Sequence, residues 1–379
     1  MSTPATTVSA PPEGAGGLIG WAKHTAARNA RRTTNAVRLA AGLDQPRTGC
    51  TPHVTLWRYD RVSLRRYRAG MNDGRPPLLL VPSLINRSHI WDLRPGDSFV
   101  EGLLADGYDV FLIDWGTPDH RDADNTIATY VDGYLPAAYD IVVAHTGVRP
   151  AVLGHCFGGA LATLWAASVS DQPPAIVALG VPTNWAEMGP LARLTQYGRL
   201  NPEDVLDETG NVAPTTMLRA FQMLRPMGDL AGYVTLWDRL DDRAAAQAIW
   251  AITEWAHDHV PLPGAAFVEM IRQLSRENAM YTGEVLLDGA PRKLAAVTCP
   301  FLNVYGEHDH VTPPPSVMPL TDLVSSEVRD TVALKAGHIG LLVGRTARKQ
   351  SLPVVTDWLK LVASDTGQPL KSPAGLSLR

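Results

Sequence analysis

The chain has 379 residues, of which 45% are hydrophobic and 19% charged, and its formal net charge is −4. That is apolar enough to bury one large core with an insertion, or two cores, and the charge gives no attraction to nucleic acid or another polyanion. No run of 18 apolar residues occurs, so nothing reads as a membrane-spanning helix. Three cysteines, Cys50, Cys156 and Cys299, are too few for a disulfide framework and too scattered for metal spacing, so no metal is expected.

The N-terminus shows no charged start followed by an apolar stretch and a small-residue cleavage site, which predicts a cytoplasmic, reduced protein in which a free thiolate persists. Residues 1–17 are mostly Pro, Ser, Thr, Ala and Gly and predict disorder. Leu18 to Leu43 predicts a helix carrying Lys23, Arg28, Arg31, Arg32 and Arg38 without an acid. It reads as a solvated helix packed on the core, with attachment to an anionic or amphiphilic surface as the alternative. Residues 1–50 are therefore a disordered start plus a basic helix.

From Thr51 short apolar runs alternate with helical stretches. "PPLLLVPSL" (76–84) is a buried parallel strand by its continuous apolar run. Residues 99–116 predict a helix ending near Gly107 and then a strand, 126–147 a helix, 150–154 a strand, then "ALATLWAAS" a helix, and 174–182 a strand. Alternation of this kind implies a doubly wound parallel sheet. Residues 51–182 form its first part. From 183 to 294 the pattern is helical, rich in Trp, Met and Leu, with no clear strands, and predicts an inserted cap. The rhythm returns over 295–365, with strands at 300–309 and 332–338 and a last helix near "VVTDWLKLVA". Residues 366–379 read as a loose tail.

Gly154-His155-Cys156-Phe157-Gly158 lies between one of those strands and a helix. Such a turn puts a nucleophile on a tight bend at a helix N-terminus, where the dipole favours a thiolate and the next amide, of Phe157, can donate to an oxyanion. The plainer reading is a buried small hydrophobe. A base and an acid are expected on loops after the last strands, in the order nucleophile, acid, histidine. "YGEHDHVTPP" offers Asp309 and "AGHIG" offers His338. His338 would take the thiol proton and Asp309 would orient the imidazole, with Glu307 the competing acid and His310 the competing base. His155 reads as a structural neighbour, because alternate strand residues point to opposite faces. The second oxyanion amide belongs to the loop "PSLINR", from Leu84 or Ser83; the sequence does not choose.

Residues 77–119 resemble the poly(3-hydroxyalkanoate) synthases of the α/β-hydrolase superfamily through their Pro-x-Leu-Ile-Asn, Asp-Leu-Arg-Pro and Leu-Ile-Asp-Trp-Gly segments. "GHCFGG" is similar to that family's Cys lipase-like box, and "DHVTPP" and "AGHIG" resemble its Asp-His and His motifs in the same order. The likeness runs from about Thr51 to Val362. It implies an α/β-hydrolase fold with a helical cap, Cys156 as acyl acceptor, His338 as base, Asp309 as acid or activator of the substrate's 3-hydroxyl, and His310 as an aid to that hydroxyl.

The implied reaction moves 3-hydroxyacyl groups from (R)-3-hydroxyacyl-CoA to a growing polyester, without a cofactor, because the coenzyme A thioester is itself the substrate. A thiol suits transfer: one thioester replaces another, so the bound acyl group stays activated, whereas a serine ester would lose that activation. The resemblance further implies a homodimer, association with polymer granules and, from the chain's shortness, a second synthase subunit. "DLRPGDS" and "WAHDHVPLPG" (255–264) are nearer to the larger, single-subunit kind, and His155 stands where the family usually has an apolar or aromatic residue. The competing expectations are a cysteine-dependent acyl-CoA thioesterase of the same fold and a non-catalytic granule-associated protein. Trp237, Trp250 and Trp255 could serve a dimer interface as easily as a core.

Overall fold

A computed structural model describes residues 15–67, 74–196, 200–224 and 236–364. Of the expected disordered start 1–17, residues 1–14 lie outside the described residues, but Ala15, Gly16 and Gly17 already belong to the first helix, which corrects that end of the expectation. The expected tail 366–379 also lies outside the described residues. Six strands precede the insertion: β1 (Val54–Tyr59), β2 (Val62–Arg66), β3 (Pro77–Val81), β4 (Asp109–Asp114), β5 (Ala151–His155) and β6 (Ile176–Leu179). Within it lie two short antiparallel pairs, β7 (Asn211–Val212) with β8 (Leu262–Pro263) and β9 (Glu284–Leu287) with β10 (Ala290–Lys293). These pairs correct the expectation of a strandless cap. β11 (Phe301–Gly306) and β12 (Arg329–Leu334) complete the main sheet.

The sheet order is β1-β2-β4-β3-β5-β6-β11-β12. It is parallel from β4 to β12, and β2 and β1 are added antiparallel beyond β4. β3 reads Leu-Leu-Leu-Val at positions 78–81 because both its faces are covered; all four residues are fully buried. The arginines of β2 are tolerable because each meets an acid on β4 or at its start: Arg65 pairs with Asp114, and Arg66 with Asp109 at 2.7 Å. From β3 the chain goes to β4 on one side and then to β5 on the other. The strand order therefore reverses between β3 and β5, and a cleft opens at their carboxyl ends, where such sheets bind ligands.

The chain divides into two compact units, Met1–Pro46 with Met227–Thr253, and Arg47–Pro226 with Glu254–Arg379. In the first, helix Ala15–Ala40 spends its basic charge locally. Arg28 meets Asp241 at 3.0 Å, Arg32 meets Asp238 at 3.4 Å, and Asp44 accepts from Arg38 at 2.8 Å and Arg243 at 2.5 Å. Leu39, Leu240 and Ala246 form a small core beside them, with Trp250 packed against it. This favours a packed helix over surface attachment. Trp237 is half-exposed, whereas Trp255, in the second unit, is buried. Among the described residues no helix is long and apolar enough to cross a membrane.

Candidate active site

β5 ends at His155 and helix Phe157–Ala166 begins two residues later, with Cys156 alone at the bend. Cys156 has φ 54°, a left-handed backbone rare for a residue with a Cβ. Two hydrogen bonds hold it: its amide donates to the Leu179 carbonyl at 2.8 Å, and its carbonyl accepts from the Gly159 amide at 3.0 Å. The flanking glycines are needed sterically. A methyl on Gly158 would press into the Val81 and Pro82 carbonyls, and one on Gly154 would collide with the Gly159 backbone. As the first helical residue, Phe157 has an N–H without an intrahelical acceptor, free to face an oxyanion.

Asp309 and His338 follow β11 and β12, so parallel neighbouring strands deliver both to one end of the sheet. His338 Nδ1 donates to Asp309 Oδ2 at 2.7 Å, and Cys156 stands close enough for its charge to act on the same ring. Asp309 is 2% exposed, and its Oδ1 accepts from the Val311 and Thr312 amides, both at 2.8 Å. Burial alone would lower the pKa of His338, but the charge of Asp309 and then that of Cys156 outweigh it and hold the ring well above its ordinary value. Burial likewise pushes Asp309 up, and the His338 charge with the hydrogen bonds from His338 and Thr312 outweighs it, leaving the carboxyl below its usual range.

Glu307 and His310 are both exposed, and among the described residues neither side chain hydrogen-bonds Asp309, His338 or Cys156. Leu84 is buried in the core, and its neighbour Ile85 shares a cavity wall with Cys156 and Phe157. Ser83 turns its hydroxyl toward the Ile85 amide at 3.4 Å. Cys299 is buried and its thiol is pushed up to about 12, the behaviour of a small hydrophobe, while Cys50 is exposed.

Two partners escape the sequence reading. Thr312, fully buried, places its hydroxyl 2.9 Å from Asp309 Oδ2, 3.1 Å from His338 Nδ1 and 3.2 Å from the Gly180 carbonyl. The signal for it was present as Asp-x-x-Thr within "DHVTPP". His155, expected to turn away from the site, instead packs its ring 4.6 Å from that of His338, and a strand's alternation does not say which residue of the next loop folds over it.

The segment "WAHDHV" clasps the loop after β3. Trp255 Nε1 donates to the Arg87 carbonyl at 2.8 Å, Arg87 pairs with Asp258 at 2.9 Å, Asn86 donates to His259 Nδ1 at 2.6 Å, and the Val260 amide donates to the Ile85 carbonyl at 3.3 Å. Beyond Cys156 opens a cavity of about 280 Å³ with almost wholly apolar walls, among them Trp185, Met217, Phe267 and Met270.

The α/β hydrolase fold family matches residues 76–345. The poly(3-hydroxyalkanoate) polymerase subunit PhaC of Thiocystis violacea is 31% identical over 82% of this chain and 89% of its own length. The protein of the same name from Allochromatium vinosum is likewise 31% identical, with the same coverage. That of Haloferax mediterranei is 29% identical over 89% of this chain and 69% of its own length. Among solved structures, a carboxylesterase of Nitrososphaera gargenis aligns with a TM-score of 0.51 at 16% identity, covering 83% of this chain and all of that one; this likeness concerns the fold alone.

Proposed function

Because the chain belongs to the poly(3-hydroxyalkanoate) polymerase family and is a polyhydroxyalkanoate synthase, we propose that its acyl transfer runs through a thioester on Cys156, with His338 as base and Asp309 as its partner. His338 takes the thiol proton, and the sulfur attacks the carbonyl carbon of the (R)-3-hydroxyacyl-CoA. The oxyanion meets the Phe157 amide and that of Leu84. As the carbon–sulfur bond to coenzyme A breaks, the leaving thiolate recovers the proton from His338. A hydroxyl then attacks the Cys156 thioester, giving its proton to His338, and one ester forms as the thioester is lost. His310 is proposed to help that hydroxyl from the open side of the loop, and the apolar cavity to hold acyl groups away from water.

The observation that carries this reading is one imidazole hydrogen-bonded to the buried Asp309 and under the charge of Cys156, which itself lines an apolar cavity. Incubation of the purified protein with 3-hydroxybutyryl-CoA tests it. Expected are coenzyme A release, a labelled acyl group on the Cys156 peptide, and polyester. Free acid as the sole product would indicate a thioesterase, and polymer without acyl-Cys156 would remove the intermediate. The word "subunit" in the relatives' names supports a second synthase subunit here as well. A homodimer and association with granules complete the proposal, to be checked by native mass and by co-sedimentation with polymer.

A further inference from the structure

We infer that His155, the residue before the nucleophile, is a positioning residue that holds His338 in register by packing on its ring and donating a hydrogen bond to its main-chain carbonyl. The inference rests on the reading of His338 as the base. His155 ends β5, is 4% exposed, and its Nε2 lies 3.4 Å from the His338 backbone carbonyl oxygen, so it is the Nε2–H tautomer that donates. Its ring lies 4.6 Å from the His338 ring and 6.3 Å, edge-on, from that of the fully buried Trp91. Gly180, at φ 58°, approaches His338 as well: a methyl there would stand 3.3 Å from ring atoms Cε1 and Nδ1. With Asp309 and Thr312 on Nδ1, the ring is restrained by side-chain bonds and by packing, and its main chain by His155.

A phenylalanine could fill the same space but could not donate. A histidine can, provided it never becomes a cation beside the imidazolium of His338. The titratable groups around it are His338, Asp309 and Cys156. Burial first, then the charge of His338, lowers His155 to about 3, against weaker opposition from its hydrogen bond and from Asp309. It therefore stays neutral wherever the site works.

The test is the rate at which iodoacetamide alkylates the Cys156 peptide of the full-length protein across pH 5–9, which needs no polymer synthesis. In His155→Phe the rate at neutral pH should fall about tenfold, the effect of one lost hydrogen bond on the base, with a displaced pH midpoint. His155→Gln, which restores a donor, should recover most of it. A His155→Phe protein that folds and is alkylated at the parental rate and midpoint would overturn the inference. Should that variant not fold, nitrogen NMR of the parent's histidines decides: His155 should remain the Nε2–H tautomer from pH 5 to 8, and a midpoint above 6 would overturn the role. The reading of His338 itself is tested apart, by coenzyme A release in His338→Gln; failure there would leave the His155 geometry standing but without a base to position.

Discussion

Replacing Asp309 by asparagine isolates the part that the buried carboxylate plays. Oδ1 accepts the Val311 and Thr312 amides, and an asparagine carbonyl can keep both bonds, so the loop should hold. Oδ2 faces His338 Nδ1 at 2.7 Å and Thr312 Oγ1 at 2.9 Å, and there an NH₂ group would stand, offering a donor to a donor. The simplest relief is for His338 to change tautomer, with its Nδ1 lone pair toward the introduced amide and Nε2–H toward the sulfur, where it can no longer accept a proton. The cost expected of a wrong tautomer is about 10⁴-fold in turnover, or roughly 5 kcal/mol of barrier. Coenzyme A release from 3-hydroxybutyryl-CoA and Cys156 alkylation measure it together, and both should fall. An Asp309→Asn enzyme that retains a tenth of parental turnover would refute the argument.

Stability adds a sign. His338 is raised in the folded state, so its contribution is complete below its unfolded value near 6.5 and is lost as pH rises through the folded value. Asp309 is lowered, so its contribution holds above its unfolded value near 3.9 and is lost as pH falls through the folded one. The stability gap between parent and variant should thus be widest between about pH 4 and 6.5.

Other outcomes follow from the same geometry. Cys156→Ala should abolish coenzyme A release and Cys156→Ser leave only a trace, since an alcohol ionises far less readily; substantial release by Cys156→Ala would remove the nucleophile. Gly158→Ala forces a methyl into two backbone carbonyls that cannot swing aside, and should lower the unfolding free energy in urea by about 3 kcal/mol or prevent folding; a parental midpoint would contradict the packing. Thr312→Val removes the single hydroxyl proton that Asp309 Oδ2, at 2.9 Å, and the Gly180 carbonyl, at 3.2 Å, compete for, and should lose about tenfold in turnover with the KM little changed, measured by steady-state kinetics.

What could be read from the chain was whatever a short window contains. The Leu-Leu-Leu-Val of β3 and the glycines around Cys156 announce themselves locally, as do Asp309 and His338 just past apolar runs. β1 and β2 do not: "VSLRR" reads as polar until Asp109 and Asp114 stand across from its arginines. β7 and β8 are two residues each, and each exists only because the other is brought up from far along the chain. β9 and β10, by contrast, close on each other through Asp288-Gly289, a local hairpin signal that is legible and that the expectation of a strandless insertion misses. The partners of Arg28 and Arg32 are more than 200 residues away, so the basic helix looked unpaired. The approach of His155 to His338 spans 183 residues and has no local signal at all.

The left-handed backbone of Cys156 sets stability against reactivity at a single position. Such a conformation costs on the order of 1–3 kcal/mol for a residue with a Cβ, and almost nothing for glycine. A glycine at 156 would let the bend relax while removing the sulfur, so a screen for thermal stability alone would be drawn toward the inactive enzyme. Neighbouring positions give little room to compensate, because Gly154 and Gly158 are already walled in by backbone. Robustness in this molecule must therefore be sought away from the turn, in the sheet, the helices and the clasp over the β3 loop.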